Sequence, residues 1–302
     1  MDFSVSIHIG RVLFRLPKQS LGEIFAPYLN VIRTKSYQMP TQKQIKELSD
    51  FAHKVADAVG EVHRKYYRKP VSTEYKEDSS PVTQVDKESE SIMREMVMKQ
   101  FPEHGILGEE YPAHQADAEF VWVIDPVDGT KYFMTGHPTF ALLLGLAYQG
   151  EFILGVIDQA ISRERWVGAD GEGTFLNGKS VTTRKCASVD KAIISRAGFE
   201  WHTEGRDHFI DKVWKATHWA QWGVAPYDYG LLAAGHLDLV ITAGPLVHDY
   251  AALGPIINNA GGLVTDWYGN KLTLTSPNHV IAVGNPLLMP ELIKLLNFPP
   301  DG

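Results

Sequence analysis

The sequence predicts an α+β / α/β fold built from layers of helices and sheets. Three observations favour this fold class: two early segments repeat apolar residues every three or four positions, a central series of short segments is rich in β-branched and aromatic residues, and both patterns alternate further on. The predicted order is therefore two helices, a mostly antiparallel sheet, and a half in which strands and helices alternate.

Two amphipathic helices are expected first. Apolar positions across residues 45–62 form one stripe on a helix that begins after Thr41, and the spacing of Thr41 and Gln44 is typical of a capping box. The polar residues 72–80 predict a mobile loop, and a second helix is expected over residues 81–101.

Strands follow as short segments separated by turn residues. The expected strands of the first sheet are residues 105–108, 120–124, 141–148, 152–158 and 163–168. Asn177 and Gly178 stand between two short apolar segments, which is typical of a hairpin turn. Beyond residue 185 we expect strands at 192–195, 238–242, 262–266 and 280–283, and helices at 208–217, 227–235, 250–260 and 290–296.

The composition excludes several classes of function. The chain has 302 residues and a formal net charge of −7, and it offers no basic stripe that would bind nucleic acid. Its longest apolar run, residues 140–147, is far shorter than the roughly 20 residues that span a bilayer, so no membrane partner is expected. A single cysteine, Cys186, cannot form an internal disulfide or a cysteine-based zinc site. These features predict a soluble protein of the cytoplasm.

The first forty residues differ from the rest. They carry basic side chains and few acids, and they show no clear hydrophobic periodicity. A transit-type presequence has this composition and would direct the protein to an organelle. An ordinary extension of a folded domain has it too, and both interpretations stay open.

Acidic residues follow two of the expected strands. Asp125 and Asp128 come where the strand before them ends, because Pro126 is expected to stop that strand and Gly129 to permit a tight bend. Glu109 follows the preceding expected strand in the same way. Strands that end in acids present oxygen ligands at one edge of a sheet.

Clustered carboxylates must either share protons or hold a cation between them. Two like charges about 4 Å apart repel by roughly 4 kcal/mol at an effective dielectric constant near 20. Oxygen ligands without histidine or cysteine spacing favour Mg²⁺, Mn²⁺ or Ca²⁺ over zinc. An EF-hand loop starting at Asp125 is excluded, because Gly136 stands where its bidentate glutamate belongs. The sequence also lacks the glycine pattern of a dinucleotide site and the GxSxG pattern of a serine hydrolase.

Three motifs together resemble those of the inositol monophosphatase family of metal-dependent phosphomonoesterases. They are GEE, then WVIDPVDGTKYF, then HDYAALGPIINNAGG, and the resemblance extends from about Thr41 to Leu296. It implies a layered αβαβα sandwich and a homodimer that acts on a small-molecule phosphate ester. We expect residues 1–40 to form an amino-terminal extension, residues 41–187 an α+β metal- and phosphate-binding domain, and residues 188–302 an α/β domain that completes the active site.

The resemblance also implies a set of metal ligands. Glu109 and Asp125 would bind the activating Mg²⁺, with the carbonyl of Val127 as a third ligand. Asp125 would bridge to a second Mg²⁺ that Asp128 and Asp249 also hold. Two or three ions are expected, and Mn²⁺ is an alternative to Mg²⁺.

Other residues would act on the substrate and the water. By the same resemblance the Thr130 hydroxyl faces the attacking water, Asp86 accepts its proton or orients it, and Glu109 completes the catalytic set. The amides of Gly129 and Thr130 lie where a helix is expected to start and would hold phosphate oxygens, with Asp249 as a further substrate contact.

The substrate is expected from three further stretches. They resemble the histidinol-phosphate phosphatase branch, which implies a role in histidine biosynthesis, and they are residues 155–159, 163–168 and 229–240. A loop over residues 76–80 is expected to order over the site, with Lys76 as a candidate contact. An inositol, sugar or nucleotide phosphate is the alternative substrate within the same chemistry. A catalytically weak metal-binding scaffold is the alternative from another class, although the intact acids argue against it.

Several positions depart from the histidinol-phosphate phosphatase pattern. Ala225 and Thr242 stand where acids are usual, and His248 replaces an aromatic residue. An acid there would pair with a cationic amine, so its loss weakens the case for a cationic substrate. Asp228 or Glu200 is a candidate to replace it.

Overall fold

The computed structural model describes residues 4–9, 12–17, 39–197 and 206–299. The chain divides into two compact units, Met1–Thr41 and Gln42–Gly302. In the first unit, strands β1 (Ser4–Ile9) and β2 (Val12–Pro17) pair antiparallel. Whether this unit is a presequence or an extension remains a sequence-based hypothesis.

Two helices open the second unit, as predicted. Helix α1 spans Gln42–Tyr66 and buries its apolar stripe. Two short strands follow, β3 (Thr73–Tyr75) and β4 (Pro81–Thr83), and they pair antiparallel. The prediction of a mobile loop over residues 72–80 was therefore wrong in part, because Thr73–Tyr75 lie in a strand. Helix α2 covers Gln84–Gln100, and so begins slightly later than the predicted start after Pro81.

A seven-stranded sheet forms the next layer. Its strands are β5 (Gly105–Gly108), β6 (Phe120–Asp128), β7 (Ala141–Tyr148), β8 (Glu151–Gln159), β9 (Glu164–Ala169), β10 (Gly173–Leu176) and β11 (Lys179–Ser180). They lie in the order β11-β10-β9-β8-β7-β6-β5. Only β5 and β6 pair parallel within this sheet, which confirms the mostly antiparallel prediction. A short helix, α3 (Thr130–Met134), follows β6.

The second half contains a five-stranded sheet in the order β13-β12-β14-β16-β15. Its strands are β12 (Ile193–Ala197), β13 (Trp219–Gly223), β14 (Leu239–Ala243), β15 (Leu263–Thr265) and β16 (His279–Val283). Its helices are α4 (Asp207–Ala216), α5 (Ala225–Ala233), α6 (Val247–Tyr250), α7 (Leu253–Asn259) and α8 (Met289–Leu296).

One helix prediction was wrong. The single helix expected over residues 250–260 is two helices, α6 and α7, separated by Ala251 and Ala252. Pro255 gives the physical reason: it has no backbone N–H to donate to the carbonyl four residues earlier, so the helix cannot run through without a break.

Three core clusters define the layers. One joins α1 and α2 to one face of the seven-stranded sheet. A second joins the other face of that sheet to α5, α6 and α7 and to the five-stranded sheet. A third places α4 and α8 on the far side of the five-stranded sheet. The order is α, β, α, β, α, which confirms the predicted sandwich.

Glycines allow the middle helices to approach the large sheet closely. A Cβ at Gly155 of β8 would lie 2.0 Å from the carbonyl oxygen of Ala252, and one at Gly168 of β9 would lie 2.4 Å from the Cα of Ile256. Larger residues there would push α6 and α7 away from the sheet. These contacts set how closely Ala252 and α7 lie against β8 and β9.

Within the described residues, no helix is both long enough and apolar enough to cross a bilayer. Residues 42–302 form one compact unit, so the expected division between residues 187 and 188 stays a prediction.

Candidate active site

Asp125 and Asp128 lie on β6, which continues through Pro126 to Asp128. The expectation that Pro126 stops the strand was wrong. Asp125 pairs with Leu143 of β7 and Asp128 with Ala141, so the register shifts between them. Proline is tolerated in a central strand at such a bulge. Residues three apart on a regular strand face opposite sides, but the extra residue of the bulge turns both carboxylates to one side.

The carboxylates predicted as ligands converge from three elements. Oxygens of Asp125, Asp128 and Asp249 lie within 4.8 Å of one another. Ligand atoms of Glu109, Asp125 and His248 form a second group within the same limit. Asp125 belongs to both groups, which is the placement that a ligand shared by two ions requires.

Asp249 is held by the helix that carries it. It is the third residue of α6, and its carboxylate accepts a hydrogen bond from the backbone N–H of Leu246 at 2.5 Å. His248 precedes it, with its Nε2 atom 3.6 Å from Asp249 Oδ1. We did not expect His248 among the potential ligands, because the sequence marked it only as a departure from the family pattern.

The electrostatics of the cluster are unfavourable without a cation. Asp125 is buried, and burial together with Glu109, Asp128 and Asp249 raises its pKa well above the usual range. Burial also raises the pKa of Asp249. Three carboxylates from residues that are largely shielded from water, with oxygens close enough to share an ion, fit a hard cation such as Mg²⁺.

Thr130 and Asp86 lie next to this cluster. The Thr130 hydroxyl lies 3.0 Å from Asp86 Oδ1 and 3.1 Å from the carbonyl oxygen of Val127, either of which can accept its proton. Asp86 is fully buried, and burial raises its pKa despite bonds that stabilise its charge. Its other oxygen accepts the backbone N–H and the hydroxyl of Thr83 at 2.9 and 2.5 Å. The structure thus brings together the pair that the resemblance implied.

Thr83 and Asp86 form a capping box at the start of α2 that the sequence analysis missed. The Thr83 hydroxyl accepts the N–H of Val85, and Asp86 accepts the N–H of Thr83. The pattern Thr-x-x-Asp was visible in the sequence. The cap positions Asp86 because it holds the carboxylate from the opposite side to Thr130.

Lys76 reaches the cluster from the loop between β3 and β4. Its Nζ atom lies 2.7 Å from Glu109 Oε1 and 2.9 Å from Glu110 Oε1. Burial lowers the pKa of Lys76, but the two carboxylates outweigh it and the net shift is upward. Burial and then Glu109 raise the pKa of Glu110 to about 7. Lys76 therefore supplies positive charge at the position predicted for the first metal ligand.

The cleft beside the carboxylates has a volume of about 140 Å³. Apart from the predicted ligand Asp249, the second half of the chain lines the cleft with a wall of Val224, Ala225 and Thr242. The Thr242 hydroxyl is bonded to the hydroxyl of Tyr229 at 2.7 Å. This wall is neutral.

The acids suggested as replacements do not supply a charge to this wall. Asp228 is buried, accepts a hydrogen bond from the Ser195 hydroxyl, and does not line the cleft. The expectation that it replaces the missing acid was therefore wrong. Glu200 lies outside the described residues.

A larger groove of about 1020 Å³ runs along α1 and strands β8 to β10. None of the predicted ligands lines it, and its Arg165 pairs with Asp158 at 2.5 Å and with Asp57 at 2.8 Å. The convergence of carboxylates rather than cavity size therefore locates the candidate active site.

Known proteins resemble this chain over most of its length. The inositol monophosphatase family profile matches residues 44–299. The bifunctional phosphatase IMPL2, chloroplastic, of Arabidopsis thaliana is 39% identical over 252 residues, which cover 82% of this chain and 73% of that protein. The histidinol-phosphatase of Chlorobaculum parvum is 28% identical over 223 residues, 73% of this chain and 86% of its own. A solved inositol monophosphatase from Zymomonas mobilis is 36% identical, with a TM-score of 0.76 over 84% of this chain and 98% of that one.

Proposed function

The chain belongs to the inositol monophosphatase family of magnesium-dependent phosphatases, and we propose that the phosphate ester it hydrolyses is histidinol phosphate. One observation supports hydrolysis more than any other. The oxygens of Asp125, Asp128 and Asp249 converge within 4.8 Å beside the hydrogen-bonded pair of Thr130 and Asp86. A scaffold protein would have no physical need for such mutually repelling groups.

We assign the ligand roles as follows. Glu109, Asp125 and the Val127 carbonyl hold one Mg²⁺, and Asp125, Asp128 and Asp249 hold a second. Bound Mg²⁺ supplies a water with a lowered pKa and neutralises charge on the leaving oxygen. The protein contributes the geometry, because the bulge in β6 and the start of α6 aim these side chains at the same space.

Thr130 and Asp86 orient the attacking water in this proposal. When the Thr130 hydroxyl donates a hydrogen bond to Asp86, its lone pairs are available to accept a hydrogen bond from a water in the cleft. As that water attacks, Thr130 would take its proton and pass its own proton to Asp86. The Thr83 cap holds Asp86 in place during this exchange. The raised pKa of the buried Asp86 suits it to receive a proton.

The backbone after β6 suits a phosphate group. Gly129 adopts a left-handed conformation with φ of 89° and precedes α3. The first bonds of this helix run from the N–H groups of Tyr132 and Phe133 to the Gly129 carbonyl. The amides of Gly129 and Thr130 lie before these donors, and we assign them, with Asp249, to substrate oxygens.

Histidinol phosphate is proposed as the substrate on sequence grounds. Residues 155–159, 163–168 and 229–240 resemble the histidinol-phosphate phosphatase branch, and a relative named histidinol-phosphatase is 28% identical. The corresponding role is in histidine biosynthesis.

A neutral polyol phosphate, such as inositol 1-phosphate, is the second candidate. The neutral wall of Val224, Ala225 and Thr242 favours it, since that wall offers no carboxylate to a cationic amine. Within the described residues, the acids that line the cleft are the four assigned to cations. The likeness to a solved inositol monophosphatase at 36% identity supports this candidate as well.

A phosphate-release assay in Mg²⁺ tests the function and ranks the substrates. We expect the highest kcat/KM for histidinol phosphate, compared with inositol 1-phosphate, a sugar phosphate and a nucleotide phosphate. If inositol 1-phosphate is turned over more efficiently, the second candidate replaces the first. If no substrate releases phosphate faster with the wild-type chain than with Asp125→Asn, the scaffold alternative holds.

The variant Ala225→Asp tests the role of the neutral wall. An acid at this position would pair with a cationic amine, so we expect the ratio of kcat/KM for histidinol phosphate over inositol 1-phosphate to rise about tenfold. Ala225→Asn is the matched control because it has the same shape without the charge. Equal ratios for the two variants would show that the wall does not select substrates by charge.

Assembly and location complete the proposal. We propose a homodimer, which light scattering after gel filtration tests through a mass twice that of the 33.7 kDa chain. We propose the cytoplasm as the location, with organelle import directed by residues 1–40 as the alternative. A fluorescent fusion of those residues distinguishes the two.

A further inference from the structure

A buried histidine of α1 contacts the backbone of the bulge in β6 that carries Asp125 and Asp128. His63 is fully buried, and its Nε2 atom lies 3.0 Å from the carbonyl oxygen of Pro126. Its ring packs against Phe140 and Phe133, with centroid separations of 5.4 and 6.4 Å. His63 therefore reaches the bulge from a helix that supplies none of the proposed ligands.

The contact determines the tautomer of His63. A carbonyl oxygen only accepts, so Nε2 carries the proton and donates it. Nδ1 is then a bare acceptor, and within the described residues it is buried without a hydrogen-bond partner. A second proton, added at Nδ1, would also have no hydrogen-bond partner within the described residues. Burial lowers the pKa of His63 to about 4. An aliphatic side chain would avoid these costs, so the bond to Pro126 is the physical reason for a histidine here.

The bonded carbonyl belongs to a peptide group that also contacts Asp125. The C=O of Pro126 accepts from His63, and the N–H of Val127, in the same planar group, donates to Asp125 Oδ1 at 3.0 Å. Rotation of this plane would break both bonds together. The bulge in β6 leaves this peptide outside the regular ladder with β7, so side chains must hold it.

We propose that His63 is a positioning residue: it fixes the peptide between Pro126 and Val127, and through that peptide it orients the carboxylate of Asp125 for metal binding. The inference rests on the proposed function in one respect, which is that Asp125 ligates Mg²⁺. Groups that orient metal ligands typically contribute 10- to 100-fold to metal affinity. Because His63 acts through an intervening peptide, we expect about tenfold.

Three substitutions of His63 separate the hydrogen bond from packing. His63→Leu removes the donor. His63→Gln places an amide nitrogen near the position of Nε2 and should restore it. His63→Asn places an amide nitrogen near the position of Nδ1, short of Pro126, and should not.

The readout is Mg²⁺ binding by isothermal titration calorimetry without substrate. We expect the dissociation constant to rise about tenfold for His63→Leu and His63→Asn and to stay within about twofold of wild type for His63→Gln. If His63→Leu fails to fold, circular dichroism identifies a temperature at which the Gln and Asn variants are both folded, and their comparison decides. Equal affinity in the two amide variants would overturn the proposal.

Two controls identify what has failed. Val59→Ala lies one turn earlier on α1 and is equally buried, but it packs in a different cluster from Val127. If it weakens Mg²⁺ binding as much as His63→Leu does, the effect is one of general stability and the proposal is wrong. Asp125→Asn should abolish tight binding. If Asp125→Asn binds Mg²⁺ like the wild type, the assignment of Asp125 as a ligand is wrong. If Asp125→Asn loses affinity and the His63 variants do not, only the proposed role of His63 is wrong.

Discussion

Replacing Asp125 with asparagine should stabilise the metal-free protein while abolishing its activity. Asp125 is buried with two other carboxylates whose oxygens lie within 4.8 Å, and they repel one another unless protons or cations intervene. Asparagine keeps an oxygen that accepts the N–H of Val127 but carries no charge. The substitution therefore removes the repulsion and leaves the local hydrogen bond in place.

The magnitude follows from the geometry. Two unit charges about 4.8 Å apart repel by roughly 3.5 kcal/mol at an effective dielectric constant near 20. Burial of Asp125 away from water and the nearby charge of Glu109 increase the free-energy cost of the charged carboxylate, whereas binding of a proton by Asp125 limits that cost. We expect the free energy of unfolding in EDTA to rise by about 3 kcal/mol at pH 7.5. For a chain of this size, that raises Tm by about 6 °C.

The pH dependence has a defined sign. The folded-state pKa of Asp125 is raised above its unfolded value of 3.8, so the folded state holds more protons and wild-type stability falls as pH rises through that window. The advantage of the variant should therefore grow from pH 4 upwards. With Mg²⁺ at about 1,000 times its dissociation constant the order should reverse, because the bound ligand then adds about 4.1 kcal/mol to the wild type alone, more than the advantage of the variant in EDTA.

Thermal unfolding in EDTA and in saturating Mg²⁺, from pH 4 to 8, measures both effects, and phosphate release measures activity. Asp128→Asn is a matched control, since it also removes one charge from the cluster but does not bridge the two proposed ions. An Asp125→Asn protein that is less stable than wild type in EDTA at pH 7.5 would refute the electrostatic reasoning.

Three further predictions address other contacts of the site and the core. Thr130→Val should lower kcat by about 100-fold with Mg²⁺ affinity unchanged, because the hydroxyl that links the water to Asp86 is lost while every proposed metal ligand stays in place; steady-state kinetics and calorimetry measure this, and a parallel loss of affinity would contradict it. Lys76→Met removes the ammonium from Glu109 and should tighten Mg²⁺ binding by about fivefold in calorimetry, and weaker binding would show that Lys76 assists the ion instead. Asp228→Asn should raise the free energy of unfolding by about 2 kcal/mol at pH 8, because burial raises the pKa of Asp228 to about 6 and its charging costs stability as pH rises. Urea unfolding should show this gain vanish below pH 4, and a gain that is the same at both pH values would exclude titration of Asp228 as its cause.

The helices and most strands were predictable because their signals are local. The buried stripe of α1 and the run of β7 are evident from periodicity alone. The continuation of β6 through Pro126 was not, because the bulge that tolerates proline depends on the register with β7, far along the chain. The break between α6 and α7 could have been predicted from Pro255. The continuous apolar pattern of residues 250–260 favoured a single helix instead.

The residues of the site also fall into those that the sequence identified and those that it did not. Glu109, Asp125, Asp128 and Asp249 were identified by motif resemblance, and the structure brings them together. His63 gave no signal, since a histidine on a buried helical stripe resembles any core residue and its partner lies 63 positions away.

Other contacts of the site could not be predicted from the sequence, because they depend on how segments far apart in the chain pack together. Lys76 was marked only as a contact over the site, and its bond to Glu109 follows from how the β3–β4 hairpin packs. The sequence left Asp228 as a candidate acid for the cleft wall. In the structure Asp228 is bonded to Ser195 and does not line the cleft, so the wall is neutral.

Anomalous diffraction from crystals grown with Mn²⁺ would show whether the converging carboxylates bind metal ions. We expect a strong peak bound by oxygens of Asp125, Asp128 and Asp249, and a second bound by Glu109, Asp125 and the Val127 carbonyl. Fully occupied manganese elsewhere in the crystal, with these carboxylates turned away from one another and no peak between them, would contradict this expectation.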